Sequence, residues 1–248
     1  LVGSEMCIRD REDSMINGRV ALVSTTSDAR RYSSLKEDAE KFLYVEEETS
    51  KVFGVSFCVL DTSASSLLAE VAVNTYEEAA AHKKKNGNIP RKLWEIDGTR
   101  SQQYSVGKKL PTPLAPRLFE GWRCWKRVIN RNGTVSFVFA FAPLSEYKGL
   151  KRKVHFPGKY ELGTSNGVYV ITEIAPRVCS VLRVQHADLN SSLPVPILKS
   201  FVKKLTPWAT VVQGTFRSNG QGGDVEVRGA GAERMREELT IRELEPGS

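Results

Sequence analysis

From Arg91 to Asp188 the chain offers one strand-like segment after another, and that run limits its fold more than any other feature. The segments KLWEID, QQYSVGKKL, RLFEGWRCWKRVI, TVSFVFAF, KRKVHF, VYVITEI and VCSVLRVQHADL are rich in β-branched and aromatic residues. Turn signals separate them: DGT, NRNG, GTSNG and the Ala175–Pro176 pair. Parallel neighbours need crossovers of about a dozen residues or more, so links this short predict an antiparallel meander. RVINRNGTVSF is the clearest hairpin, with Asn132–Gly133 expected to supply positive φ.

An amphipathic segment beyond the meander completes the architecture. After Pro194 the apolar positions Ile197, Leu198, Phe201, Val202, Leu205, Trp208, Ala209 and Val212 keep three-and-four spacing, while Lys199, Ser200, Lys203 and Lys204 take the other side. The spacing predicts a helix from Pro194 to Phe216 with one buried and one basic face. Pro207 should kink or restart it, with Thr206 as cap. A curved antiparallel sheet wrapped around a long C-terminal helix is an α+β, helix-grip arrangement in a single domain, the helix covering the concave face. Earlier in the chain, SSLKEDAEKFLYVEEE from Ser33 reads as a helix and KVFGVSFCVL from Lys51 as a strand. Asp61, Thr62 and Ser63 offer N-cap chemistry to a second helix carrying Leu67, Leu68, Val71, Val73 and Tyr76. That helix should end at Lys83–Lys85 and Gly87, where lysines suit the negative end of its dipole.

The two ends read differently from the body. LVGSEMCIRDR has the look of translated adaptor read-through and none of the parts of a secretory signal, so residues 1–14 are set aside as artefact or disordered. The domain is placed at 15–217, and 218–248 is a glycine-rich linker with a charged tail. No apolar run reaches the ~18 residues of a membrane span. The net charge of +7 hides an asymmetry: the chain from Gly220 carries −3, residues 1–11 cancel, and the body holds +10. Such a body attracts anionic partners without choosing among them. Four cysteines without CxxC spacing point to buried, reduced thiols and a cytoplasmic setting.

Site chemistry is sparse. His82, His155 and His186 share no ligand-like spacing, which argues against a metal. The acid–base candidates His155, His186, Asp188 and Tyr104 show no catalytic spacing, so an enzyme is not expected. Trp122, Trp125, Phe137, Phe139 and Phe141 lie in strands where core packing accounts for them, so nucleic acid is not expected either. The chain remains a module that binds a ligand in its interior, or one that docks to a partner.

Three segments favour the first, with a non-binding interaction or regulatory domain of a larger protein and a helix-grip cyclase- or hydrolase-like enzyme as the alternatives. PLAPRLFEGWRCWKRV (113–128), YKGLKRKVHF (147–156) and ADLNSSLPVPILKSFV (187–202) resemble, in order and spacing, three landmarks of START (StAR-related lipid transfer) domains. These are an R-D-F-type strand, a K-G-x-x-R strand start and a D-x-x-G-x-x-P turn into the last helix. Leu118 stands where the family usually has aspartate, and Ser191 where glycine is common. The resemblance spans 51–217 and implies a monomer that binds a lipid or sterol in an apolar cavity gated by the C-terminal helix. It implies no cofactor, and transfer between membranes as an extension. Strand alternation divides β-face residues Phe119, Gly121, Arg123 and Trp125 from Leu118, Glu120, Trp122 and Cys124 without saying which set faces the helix. The resemblance assigns the first set, because an arginine matched by Arg123 points inward in several members. Its usual acidic partner would fall near Tyr104, where this chain has no carboxylate. The expected lipid-binding residues are therefore Phe119, Arg123, Trp125, Tyr104, Ile197, Leu198, Phe201 and Leu205, with Arg123 the main polar determinant. Lys199, Lys203 and Lys204 are expected to contact an anionic membrane, beside a second basic cluster at Lys151–Lys153.

Overall fold

The computed structural model describes residues 2–27, 40–46, 49, 51–72, 91–98, 100–110, 112, 114–147, 159–189, 195–203, 206 and 208–216. Eight strands form one sheet: β1 Glu40–Val45, β2 Val52–Leu60, β3 Arg91–Asp97, β4 Ser101–Lys108, β5 Arg117–Ile129, β6 Val135–Pro143, β7 Glu161–Ala175 and β8 Val178–Asp188. Their order is β1-β2-β8-β7-β6-β5-β4-β3, so the meander from β3 to β8 is antiparallel as expected and its last strand closes against β2. Among the described residues four α-helices accompany the sheet: α1 Val2–Ser27, α2 Ala64–Ala72, α3 Val195–Lys203 and α4 Trp208–Phe216. KRKVHF, the expected extension of the second helix to Lys83–Lys85 and Gly87, Leu205, Lys204 and the tail from 218 lie outside the described residues.

Both faces of the sheet are apolar, and each is covered. On the convex face Trp122, Cys124, Val138, Ala140, Val168 and Val184 pack with Met15 and Ile16 of α1. The stripe Glu12, Met15, Ile16, Arg19, Leu22 and Val23 gives α1 its sheet-facing side. The first half of this helix is formed by residues 2–14, and its Glu12 is buried 3.1 Å from Arg100 Nε. On the concave face Trp125, Phe137, Phe139, Phe141, Tyr169 and Ile171 meet Leu67 and Leu68 of α2 and Ala209, Val212 and Phe216 of α4. Phe119, Leu189, Phe201 and Val202 continue that layer under α3.

Two local expectations change. The segment from Ser33 does not hold a helix over its second half, because Glu40–Val45 is the edge strand β1, paired with β2. Its side chains alternate, Phe42 and Tyr44 to the convex cluster and Leu43 and Val45 to the concave one, and burial on both faces outweighs local helix propensity. In the β5–β6 hairpin only Gly133 has positive φ, at 80°. Asn130 N–H bonds Thr134 O across a three-residue tip, a loop that needs one left-handed residue rather than two. The cap of α2 is as read: Ser63 Oγ accepts from Ser66 N–H at 3.2 Å.

β6 ends at Pro143, and beyond it the start of β5 pairs directly and in parallel with β7, Arg117 opposite Glu161. Arg117, 2% exposed, fixes this seam: Nε donates to Leu189 O at 2.8 Å, Nη1 to Ala115 O at 2.7 Å, and Nη2 lies 2.6 Å from the Glu161 carboxylate. Leu189 is the residue at which β8 gives way to the segment leading to α3, so this one guanidinium joins the seam to the approach of the covering helix. Arg117→Met should cost about 3 kcal/mol, since it strands a buried carbonyl as well as losing charge-assisted bonds. Glu161→Gln, at a mostly exposed partner, should cost under about 1 kcal/mol. Urea unfolding of both variants checks the ranking.

Candidate functional site

The register assembles the concave face in rows. One row runs Gln102, Arg123, Phe141, Gly167, Gln185 and Gly54 across six strands. The next runs Trp125, Phe139, Tyr169, Arg183 and Ser56. Most of this surface is aromatic or aliphatic, and a few polar side chains are set into it.

Arg123 lies on the helix-covered face together with Phe119 and Trp125, and it is 4% exposed. Its Nε and Nη2 donate to Gln102 Oε1 at 2.9 and 2.7 Å. Nη1 reaches Val71 O at 3.4 Å and Nη2 bonds Ala72 O, both in the last described turn of α2. The guanidinium carbon sits 5.5 Å from the Phe139 ring centroid. The partner on the preceding strand is thus Gln102, directly opposite, and not the position of Tyr104, which lies opposite Gly121. Tyr104 lays its ring over Gly121, where a Cβ would come within 2.5 Å of it, and burial pushes its phenol pKa up.

The remaining expected residues divide. Phe119 packs over Gly163 and joins Leu198 and Phe201 in the layer under α3. Trp125 is edge-on to Phe137 at 6.3 Å. Ile197, by contrast, is 43% exposed, because the buried stripe of α3 is carried by Phe201 and Val202 one turn further on. Lys199 and Lys203 are exposed, as their side of the helix requires. Leu205 and Lys204 are outside the described residues.

α3 and α4 are separate helices, and Thr206 between them donates its hydroxyl to Lys203 O at 2.9 Å, which closes the end of α3. The pair sits close on the sheet at Gly54, whose missing side chain leaves room: a Cβ there would be 3.0 Å from Val202 and 3.1 Å from Thr206. At the other side Lys108 of β4 lies 4.9 Å from the Phe201 ring centroid. The pair thus packs on the β1, β2 and β8 side of the concave face, reaching β4 through Lys108, while α2 packs over β6, β7 and β8.

The acid–base candidates are not gathered. Tyr104 faces the helices, whereas His186 pairs with Phe53 and Asn166 on the convex side, and register puts Asp188 there as well. His155 is outside the described residues. Three cysteines, Cys58, Cys124 and Cys179, are buried free thiols, and burial pushes Cys58 and Cys179 up to about 12. No helix among the described residues is long and apolar enough to cross a membrane.

Sequence reading missed Arg183 and Gln185. The signal was present: in VCSVLRVQHAD the stripe Cys179, Val181, Arg183, Gln185 and Ala187 is apolar at three positions and polar at two. A charge that interrupts a period-two apolar stripe is either exposed or held for a reason.

No family model matches the chain. No curated protein matches it either. Solved structures do. The human StarD13 (DLC2) lipid transfer and protein localization domain superposes with TM-score 0.54 at 12% identity, over 79% of this chain and 95% of that one. Human STARD10 gives 0.53 at 14%, over 89% and 80%. Human StAR-related lipid transfer protein 5 gives 0.53 at 12%, over 92% and 99%. The chain has a START-like helix-grip fold.

His186 makes the stability of this fold pH-dependent. Burial pulls its pKa below the ordinary 6.5, against the opposing pull of the Val52 carbonyl 2.9 Å from Nδ1. The unfolded chain then takes up a proton at higher pH than the folded one, so stability falls as pH drops through 6.5 toward the folded-state value. His186→Asn keeps an N–H donor for Val52 and does not titrate. The loss of urea midpoint between about pH 7 and pH 5.5 should be smaller in this variant than in the wild type; equal losses would assign the pH dependence to other groups.

Proposed function

We propose that this protein binds a single lipid or sterol molecule between the concave face and the α3–α4 cover, without catalysis, and releases it when the cover moves. The observation that carries this reading is the composition of that face. Aromatic and aliphatic residues make up most of it, and Arg123, Gln102, Tyr104, Arg183, Gln185 and Ser165 form a small polar inlay, the division that an amphiphile needs for its tail and head. Burying apolar ligand surface contributes ~25 cal/mol per Å², so the tail supplies most of the affinity and the inlay selects the head. The likeness to lipid-transfer structures adds fold-level analogy in the same direction. Within this reading Phe119, Trp125, Leu198, Phe201 and Leu205 line the tail, Ile197 meets it only when the cover shifts, and Arg123 is a polar determinant of ligand choice.

The test is extraction of purified protein followed by mass spectrometry, with about one lipid or sterol per chain expected. A preparation that neither retains nor takes up any lipid or sterol leaves only a partner-docking role. Exposed Lys199 and Lys203, with Lys204, are proposed to meet an anionic membrane from the cytoplasmic side, each contributing ~1 kcal/mol near the surface before screening. Replacing all three by alanine should therefore weaken sedimentation with phosphatidylserine vesicles, and salt should weaken the wild type. If wild type and variant sediment equally, these lysines only solubilise the helix.

A further inference from the structure

Arg183 belongs to the concave face by the alternation of β8, and it is 8% exposed. Its guanidinium carbon lies 5.3 Å from the ring centroid of Tyr169 on β7 and 5.3 Å from that of Trp208, the first residue of α4. The two rings meet edge to face, 5.0 Å apart at 78°, and the cation sits against both. Nη2 donates to Gln185 Oε1, and Gln185 Nε2 donates to Ser165 Oγ at 3.0 Å. On the other side of Tyr169, Phe139 stands 5.6 Å away, and beyond Phe139 comes Arg123. Two cations and three rings thus form a continuous ladder across the site: Arg123, Phe139, Tyr169, Arg183, Trp208.

This arrangement has a consequence for ligand charge. An aromatic pair of this kind attracts a cationic group, as recognition of quaternary ammonium shows, and here the chain's own guanidinium already takes that place. Two buried like charges on one face also raise the local potential, which an anion lowers and a further cation worsens. We infer that Arg183, acting with Arg123, selects an amphiphile whose head carries negative charge and rejects one whose head is a quaternary ammonium. The inference rests on the lipid-binding reading above and deepens it. A fatty-acid carboxylate and a phosphomonoester lipid share the required chemistry.

The test offers the full chain an equimolar mixture of oleate, phosphatidate, phosphatidylcholine and cholesterol, delivered from cyclodextrin, and reads retained lipid by native mass spectrometry. The wild type should retain oleate or phosphatidate at least about tenfold over phosphatidylcholine, and which of the two it keeps separates carboxylate from phosphate. Arg183→Gln should lower anionic retention by about tenfold, ~1.4 kcal/mol, and raise that of phosphatidylcholine. Arg183→Lys keeps the charge and should keep the anionic preference. Circular dichroism checks that each variant folds; if Arg183→Gln does not, the wild-type preference and the lysine variant decide the matter. Retention of phosphatidylcholine or cholesterol by the wild type in preference to the anionic lipids overturns this inference and leaves lipid binding standing. An anionic preference unchanged in folded Arg183→Gln overturns the role of Arg183. Retention of none of the four overturns both readings.

Discussion

A sheet with apolar side chains on both faces has to be covered twice, and the rest of this structure depends on that requirement. β5 states it most plainly, with Phe119 and Trp125 on one face and Leu118, Trp122 and Cys124 on the other, all buried. α1 takes the convex side; α2, α3 and α4 take the concave side. The two covers differ in kind. α1 is one continuous helix, fixed by a buried ion pair between Glu12 and Arg100 as well as by Met15 and Ile16. The concave cover is broken at Thr206 and rests on the strand row at a glycine, where its approach depends on the absence of a side chain. Local stability tracks buried apolar contact and continuity, so the broken cover is the layer suited to opening.

Polarity inside the concave layer is costly, and each polar group there is held by a neighbour. Arg123 is bonded to Gln102 and to α2 carbonyls, and Arg183 to Gln185 and two aromatic faces. A hydrophobic interior of the same shape would be more stable without them, since desolvating a guanidinium costs several kcal/mol before any contact offsets it. Their retention in the face enclosed by the cover, with lysines outside on the same cover, divides the positive charge of the body into an inner and an outer set. In the function proposed above, the outer set bears on where the protein docks and the inner set on what it holds.

Much of the fold was legible in the chain. Period-two alternation, turn residues and short links announced the meander, and the three-and-four spacing after Pro194 announced the cover and its break. The residues from Ser33 were misread because helix formers such as those in KEDAEKF signal only local preference, and the pairing of Glu40–Val45 with β2 is a long-range contact. The site was half legible. Arg123 stood out through a resemblance, while Arg183 did not, because its partners Tyr169 and Trp208 lie 14 and 25 positions away and no local pattern joins them.

The sequence by itself determined that the chain makes an antiparallel sheet capped by an amphipathic helix, since hydrophobic periodicity is written residue by residue and needs no knowledge of neighbours in space. Only the tertiary structure decided which face each cover takes, which rows of side chains meet, and that a cation packs against both Tyr169 and Trp208. Those facts depend on strand register, and register is fixed when distant segments bury their faces together, not by any one of them alone.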